Sequence, residues 1–297
     1  MLIKNQLWKY LEKHMVIKWL IVGGIGGEYF SCLVKSYLDL IKGMNGEFLI
    51  IYLKNRMDYM IILIFFILHW YLSLSMQTIF LHRYSSHKMF RMNKFWERVF
   101  FLFTFIFQGS SFLNPVAYAV MHNEHHKYSD TDKDPHSPSY TKNILSFVMK
   151  TFYNYSKILK NKYKREYGHL EYPRWEFIEK IGDLWIIRIG FVLIYLFFYI
   201  KFSPSYWLYL LIPIHIFMGP IHGTIVNWFG HKVGYRNFDD INDLSKNTLM
   251  IDFLMMGELY QNNHHKKSTN PNFSYRWYEI DFGYLFIYLL KKMKVFY

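Results

Sequence analysis

The chain has 297 residues, 52% hydrophobic and 21% aromatic, above the values usual for soluble globular domains, so a membrane protein is the first expectation. Its single cysteine, Cys32, excludes a disulfide framework, a Cys-x-x-Cys redox pair and an iron–sulfur ligand set within the chain. The formal charge of +13 lies mostly in segments bordering apolar runs, which suits anionic lipid headgroups and speaks against a nucleic-acid partner.

In chain order, residues 1–58 read as an N-terminal extension or a weak first membrane helix. The run Met15 to Phe30 is apolar but carries Lys18 and Glu28, and it shows neither an arginine-rich transit pattern nor a clear signal-peptide cleavage site. From Tyr59 to Leu81 about 23 mostly apolar residues are enough to cross the hydrocarbon layer, and they deliver His82 to the membrane surface. Val99 to Leu113 is too short to cross comfortably and ends at Asn114-Pro115; it reads as a helix lying along the membrane. That helix leads into His122-Asn123-Glu124-His125-His126, where offsets of three and four put three imidazoles on one helical face.

A basic stretch follows, with Lys157, Lys160, Lys162, Lys164 and Arg165, and reads as a solvated cytoplasmic face. Leu184 to Tyr199 and Tyr206 to Phe229 are two further spanning candidates, joined by a link short enough to make them an antiparallel pair. Met250 to Met256 reads as helix core or tunnel lining ahead of His264 and His265. If the histidine groups share a site, an even number of crossings separates each pair, which places them on the face where the basic loops fall. Residues 59–297 thus form one all-α domain: multi-pass membrane helices with a cytoplasmic helical cap holding a di-metal site.

Neutral imidazole suits iron, zinc, copper and nickel. Seven histidines in three groups exceed the needs of one four-coordinate metal, and a two-metal centre is the natural inference. His82 and His87 are five apart, about 140° on a regular helix, so they diverge unless the helix ends at Tyr84-Ser85-Ser86. The adjacent His264 and His265 also diverge, which suits one ligand to each metal. His14, His69, His169, His215 and His222 stand alone and read as satisfied or exposed side chains.

His82-Arg83-Tyr84-Ser85-Ser86-His87, then His122-x-x-His125-His126 running on to Asp130, Asp132, Asp134 and His136, then Gly257-Glu258-x-x-x-Asn262-Asn263-His264-His265 resemble the three histidine boxes of integral-membrane fatty acyl desaturases of the stearoyl delta-9 type. Asn227-x-x-x-His231 and Arg276-Trp277-Tyr278-Glu279-Ile280-Asp281 resemble two further elements of that family. The resemblance implies a non-haem enzyme with two Fe that uses O2 to place a cis double bond in a long acyl chain. It makes His82, His87, His122, His125, His126, His231, His264 and His265 metal ligands, with Asn227 holding a metal-bound water. Acidic neighbours, Asp130, Asp132, Asp134 and Glu258, are either solvated or support ligating rings from behind.

Two departures bear on this. Gln261 stands where the third box usually opens with histidine, and could ligate through its amide oxygen or hold a water. Val120-Met121 stand where the animal acyl-CoA enzymes carry a carrier-contacting Arg-Asp pair, so acyl carrier protein and lipid-linked chains are open as carriers beside an acyl thioester of coenzyme A. Arg188 reads as snorkelling to the interface or touching an anionic carrier. Because no fused haem-binding segment is present, a separate ferredoxin, cytochrome or flavoprotein is the expected electron donor. The alternatives are an acyl-chain hydroxylase on the same fold and an inactive lipid-binding relative.

Overall fold

The computed structural model describes residues 46–161 and 171–297; the readings placed on Met15–Phe30, His14, Cys32, Lys162, Lys164, Arg165 and His169 lie outside the described residues. Residues 1–61 and 62–297 pack as separate units. The described residues are helical, with isolated bridges Tyr235–Asn247 and Asn247–Tyr260 and no strand among them.

Helix α1 (Gly46–Ser75) passes without a break into a π-helical stretch, Met76–Ser86. Next come α2 (Lys94–Gln108), α3 (Pro115–Tyr128), α4 (Ile144–Asn161), the short α5 (Glu176–Asp183) and α6 (Trp185–Phe202). The chain then runs through a 3-10 turn, Tyr206–Leu211, into α7 (Ile212–Ile216), α8 (Met218–Lys232), α9 (Gln261–Lys266) and α10 (Phe282–Lys292). Ile51–Ser86 and Trp185–Phe202 are long and apolar enough to cross a membrane. Their outward residues, such as Ile67, Leu68, Ile194 and Phe197, are half or more exposed, as lipid-facing side chains are.

Of three apolar stretches, the first ends at Asn114-Pro115 as expected and the other two depart from the helices expected. Val99–Leu113 belongs to a helix that starts five residues earlier, at Lys94, and turns by 81° into α3 around Asn114. Asn114 makes that corner: its side chain accepts from Val116 N and Ala117 N, with Pro115 in the first turn, so the new helix begins there. Tyr206–Phe229 is not one spanning helix but a pair bent by 75° at Phe217. Met250–Met256 is a turn rather than helix core, wound on the buried Asp252 carboxylate, which accepts from the backbone N–H groups of Met255, Gly257 and Leu259.

The main core lies beneath the π-helical stretch. Ile79, Phe80 and Leu81 pack with Phe100, Phe101, Phe112, Ile287 and Phe296, so α2 and α10 clamp the segment that carries the first histidine pair.

Candidate metal centre

His82 and His87 reach one another because the helix widens. His87 N donates to His82 O at 3.2 Å, an i→i+5 bond, and the two rings lie 5.1 Å apart. The helix therefore does not end between them; it changes period, bringing residues five apart onto one face, as π-helical turns at functional sites do. On α3 the three imidazoles part company. His122 and His126, four residues apart, face one group, whereas His125, about 100° from its neighbour His126, faces another.

In the first group the Nε2 atoms of His82, His87, His122, His126 and His264 converge. His82–His264 is 2.9 Å, His264–His126 3.0 Å, His126–His122 3.0 Å and His122–His87 2.8 Å. A neutral ring nitrogen carries either a proton or a lone pair, so these contacts cannot all be good hydrogen bonds. Lone pairs turned on one cation can all be satisfied: imidazoles about 2.0–2.1 Å from a metal and at right angles leave neighbouring nitrogens roughly 2.9 Å apart. The donor set fits a first-row transition metal.

The second group is His125, His231 and His265. Their ring centroids form a nearly equilateral triangle, 5.0, 5.1 and 5.0 Å. Each Nδ1 donates to a carboxylate: His125 to Asp134 at 2.8 Å, His231 to Asp130 at 2.7 Å and His265 to Asp243 at 2.7 Å. That places the ring proton on Nδ1 and the lone pair on Nε2. All three Nε2 atoms are buried and have no partner among the described residues, so they too fit a metal ion. The groups are neighbours, with His126 and His265 4.5 Å apart, and His264 and His265 fall on opposite sides of the divide.

Burial raises the carboxyls of Asp130 and Asp243, but the hydrogen bonds and charges of His231 and His265 outweigh it and hold both below the usual carboxylate range. Glu258 is likewise lowered against burial by His82 and Arg83, while burial keeps Asp134 raised. Burial and then the neighbouring His82 push His87 down to about 2, and burial also lowers His264 and His265. These three imidazoles are thus held in the neutral, ligating form. Asp132, by contrast, is exposed and touches neither group. His136 stacks edge-on to His125 at 4.5 Å and donates its backbone N–H to Asp134.

Gln261 and Asn227 line a cavity of about 20 Å³ with His82 and His122 of the first group. Gln261 donates Nε2 to Glu258 O at 2.7 Å and Asn227 donates Nδ2 to Gly223 O at 2.8 Å, so each amide nitrogen is engaged by a carbonyl. Arg188 donates to the carbonyls of Ser110 and Phe112 at 2.9 and 2.8 Å, tying down the corner after α2.

Sequence reasoning missed four supporting residues. Arg83 is fully buried and donates to Glu258 at 2.6 Å, to Asp281 at 2.8 Å and to Pro271 O at 3.0 Å, with Phe273 stacked 3.8 Å from its guanidinium. Glu258 in turn accepts from His82 Nδ1 at 2.5 Å, so one cation links the first and third boxes. An arginine in an apolar helix flank beside a histidine was the available signal. Asp243 lies in an acidic loop with no pattern to mark it. In the segment 276–281 the structural work falls to Glu279 and Asp281, while Trp277 is 93% exposed.

With this geometry in hand, known proteins can be compared. The family model described as fatty acid desaturase matches residues 59–282. A curated relative, sn-1 stearoyl-lipid 9-desaturase of Anabaena variabilis, is 27% identical over 223 residues, covering 72% of this chain and 74% of that protein. Hex-5-enoyl-[acyl-carrier protein] acetylenase of Moorena producens is 27% identical over 257 residues, covering 75% and 72%. Delta-9 acyl-lipid desaturase 1 of Arabidopsis thaliana is 25% identical over 218 residues, covering 72% and 67%.

Proposed function

Since the match over residues 59–282 makes this chain a member of the fatty acid desaturase family, and so an oxidoreductase, we propose that it forms a cis double bond, at the delta-9 position, in a long lipid-linked acyl chain. The observation that carries this reading is the convergence of eight imidazoles into groups of five and three, four of them backed by buried carboxylates. When bound, two irons would supply the activation of O2 needed to take hydrogens from unactivated methylenes, with two electrons from a separate donor.

The chain's own residues hold and dry the site. Glu258, Asp134, Asp130 and Asp243 fix ring tautomers and orientations, and burial of His82, His122, His125, His231 and His264 keeps bulk water away from them. Our reading gives the first group five protein ligands and the second three, with Asn227 and Gln261 holding a water in the cavity they share with His82 and His122. A lipid-linked carrier is favoured because two of the relatives above bear acyl-lipid or stearoyl-lipid names, and because the buried, apolar Val120 and Met121 offer no polar handle to coenzyme A.

The 2.8 Å contact of His87 with His122 supports a reading in which both lie on one side of the bilayer and the bent pair Lys94–Ser111 and Pro115–Tyr128 re-enters on that side. From His126 to His231 the chain makes an out-and-back pair, again an even count. The lysines on that side, among them Lys127, Lys133, Lys150 and Lys157, favour the cytoplasmic face and an acidic electron donor. Expression in a host lacking its own desaturase, with fatty-acid profiling and iron analysis, tests the whole. A new monounsaturated species of fixed bond position and two irons per chain are expected; an alcohol product, or an iron-replete protein with no product, would overturn it.

A further inference from the structure

The stem beneath the metal groups is not uniformly apolar. His69, Ser73 and Gln77 recur every four residues on α1 and its π-helical continuation, hence along one face, and are 8%, 0% and 6% exposed. They face inward inside a stretch long and apolar enough to span a membrane, where polar side chains mark a pathway or a ligand. At the lower end His69 Nδ1 pairs with His215 Nδ1 at 2.6 Å, and His215 Nε2 with the Tyr199 hydroxyl at 3.0 Å, so both His215 nitrogens have partners and His69 keeps only Nε2 unpaired.

The upper end is far less satisfied. His222, fully buried, lines the cavity that also touches His82 and His122, and neither of its ring nitrogens has a hydrogen-bond partner among the described residues. Gln77 lines the same cavity with its Oε1 unpartnered, and Ser73 Oγ, one turn away, is unpartnered too. Burying such groups without partners costs on the order of 1–3 kcal/mol each. A neutral imidazole offers one donor and one acceptor and Gln77 adds an acceptor, which together complement a hydroxyl.

We propose that His222 and Gln77 form a subsite for a hydroxyl-sized polar group on the acyl chain, so that this enzyme discriminates in favour of hydroxylated chains. The inference rests on the acyl-desaturase reading and deepens it. The cavity, about 20 Å³, has room for a small polar group, and a hydroxyl placed there satisfies His222 and Gln77 where a methylene leaves them unpaired. Trp70 packs edge-on against His222 at 4.5 Å.

The test uses the full-length, iron-loaded protein in bilayers and two probes: a phosphatidylglycerol with a stearoyl chain, and one with the same chain hydroxylated beyond its midpoint. Binding competition should favour the hydroxylated chain by on the order of tenfold. His222→Leu and, independently, Gln77→Leu should bring the ratio to near unity, and nitrogen-15 histidine spectra of the wild type should shift at His222 only with the hydroxylated probe. Equal binding by the wild type would mean that water alone fills the subsite and would overturn the proposal, as would a preference surviving both substitutions. Desaturation of the stearoyl probe is scored in parallel: if it proceeds while no preference exists, the subsite fails and the desaturase reading stands; if neither chain is bound or changed, that reading fails.

Discussion

At the scale of single residues, the centre depends on groups that never face a metal. Asp243 touches only the outer nitrogen of His265 and its own loop. Replacing it with asparagine should weaken metal retention at the three-histidine group by about 10–100-fold while leaving the five-histidine group loaded. Chelator titration followed by metal analysis would show one ion leaving early. Arg83 has a different job: its guanidinium neutralises both Glu258 and Asp281 where neither meets water. Arg83→Met strands two buried carboxylates and should cost about 3–5 kcal/mol, read as a lowered thermal midpoint. Histidine spacing announced the ligand candidates, but these two supports were hard to find because a carboxylate or guanidinium acts across space, and Asp243 is far in sequence from the ring it orients.

Among the elements, the π-helical stretch sets the register of the first histidine pair. Deleting Ser85 should restore a regular helix and rotate His87 by about 100° away from His122, dropping the metal content of the five-histidine group while the three-histidine group keeps its ion. Gly257 does comparable work in the loop before α9. Its φ is +94°, and a Cβ there would lie 2.4 Å from Asp281 Oδ1. Gly257→Ala should therefore cost about 1–3 kcal/mol and loosen the Asp281–Arg83 pair, which thermal unfolding would register. Hydropathy located the helices, since lipid-facing side chains must be apolar whatever the fold. It did not locate the bend at Phe217 or the turn at Met250–Met256, where isolated backbone groups find side-chain and loop partners that a linear pattern cannot display.

For the molecule as a whole, the histidine centre imposes a pH dependence. His87 is held at about 2 and His136 at about 3, both chiefly by burial, against an ordinary value of 6.5. The unfolded chain therefore binds protons that the folded chain refuses, and stability falls as pH drops below about 6.5. Metal-free protein should show a thermal midpoint that is flat above neutrality and declines through mildly acidic pH; a midpoint rising on acidification would contradict the neutral state of the rings. By itself, the sequence determined the membrane class, the helical elements and the residues able to ligate, because hydropathy and side-chain chemistry belong to each residue alone. Only the tertiary structure decided that eight histidines divide five to three, that one helix changes its period to admit His87, and that Arg83, Asp243 and Asp281 underwrite the arrangement, because partition, register and buried charge balance exist only once distant segments are packed together.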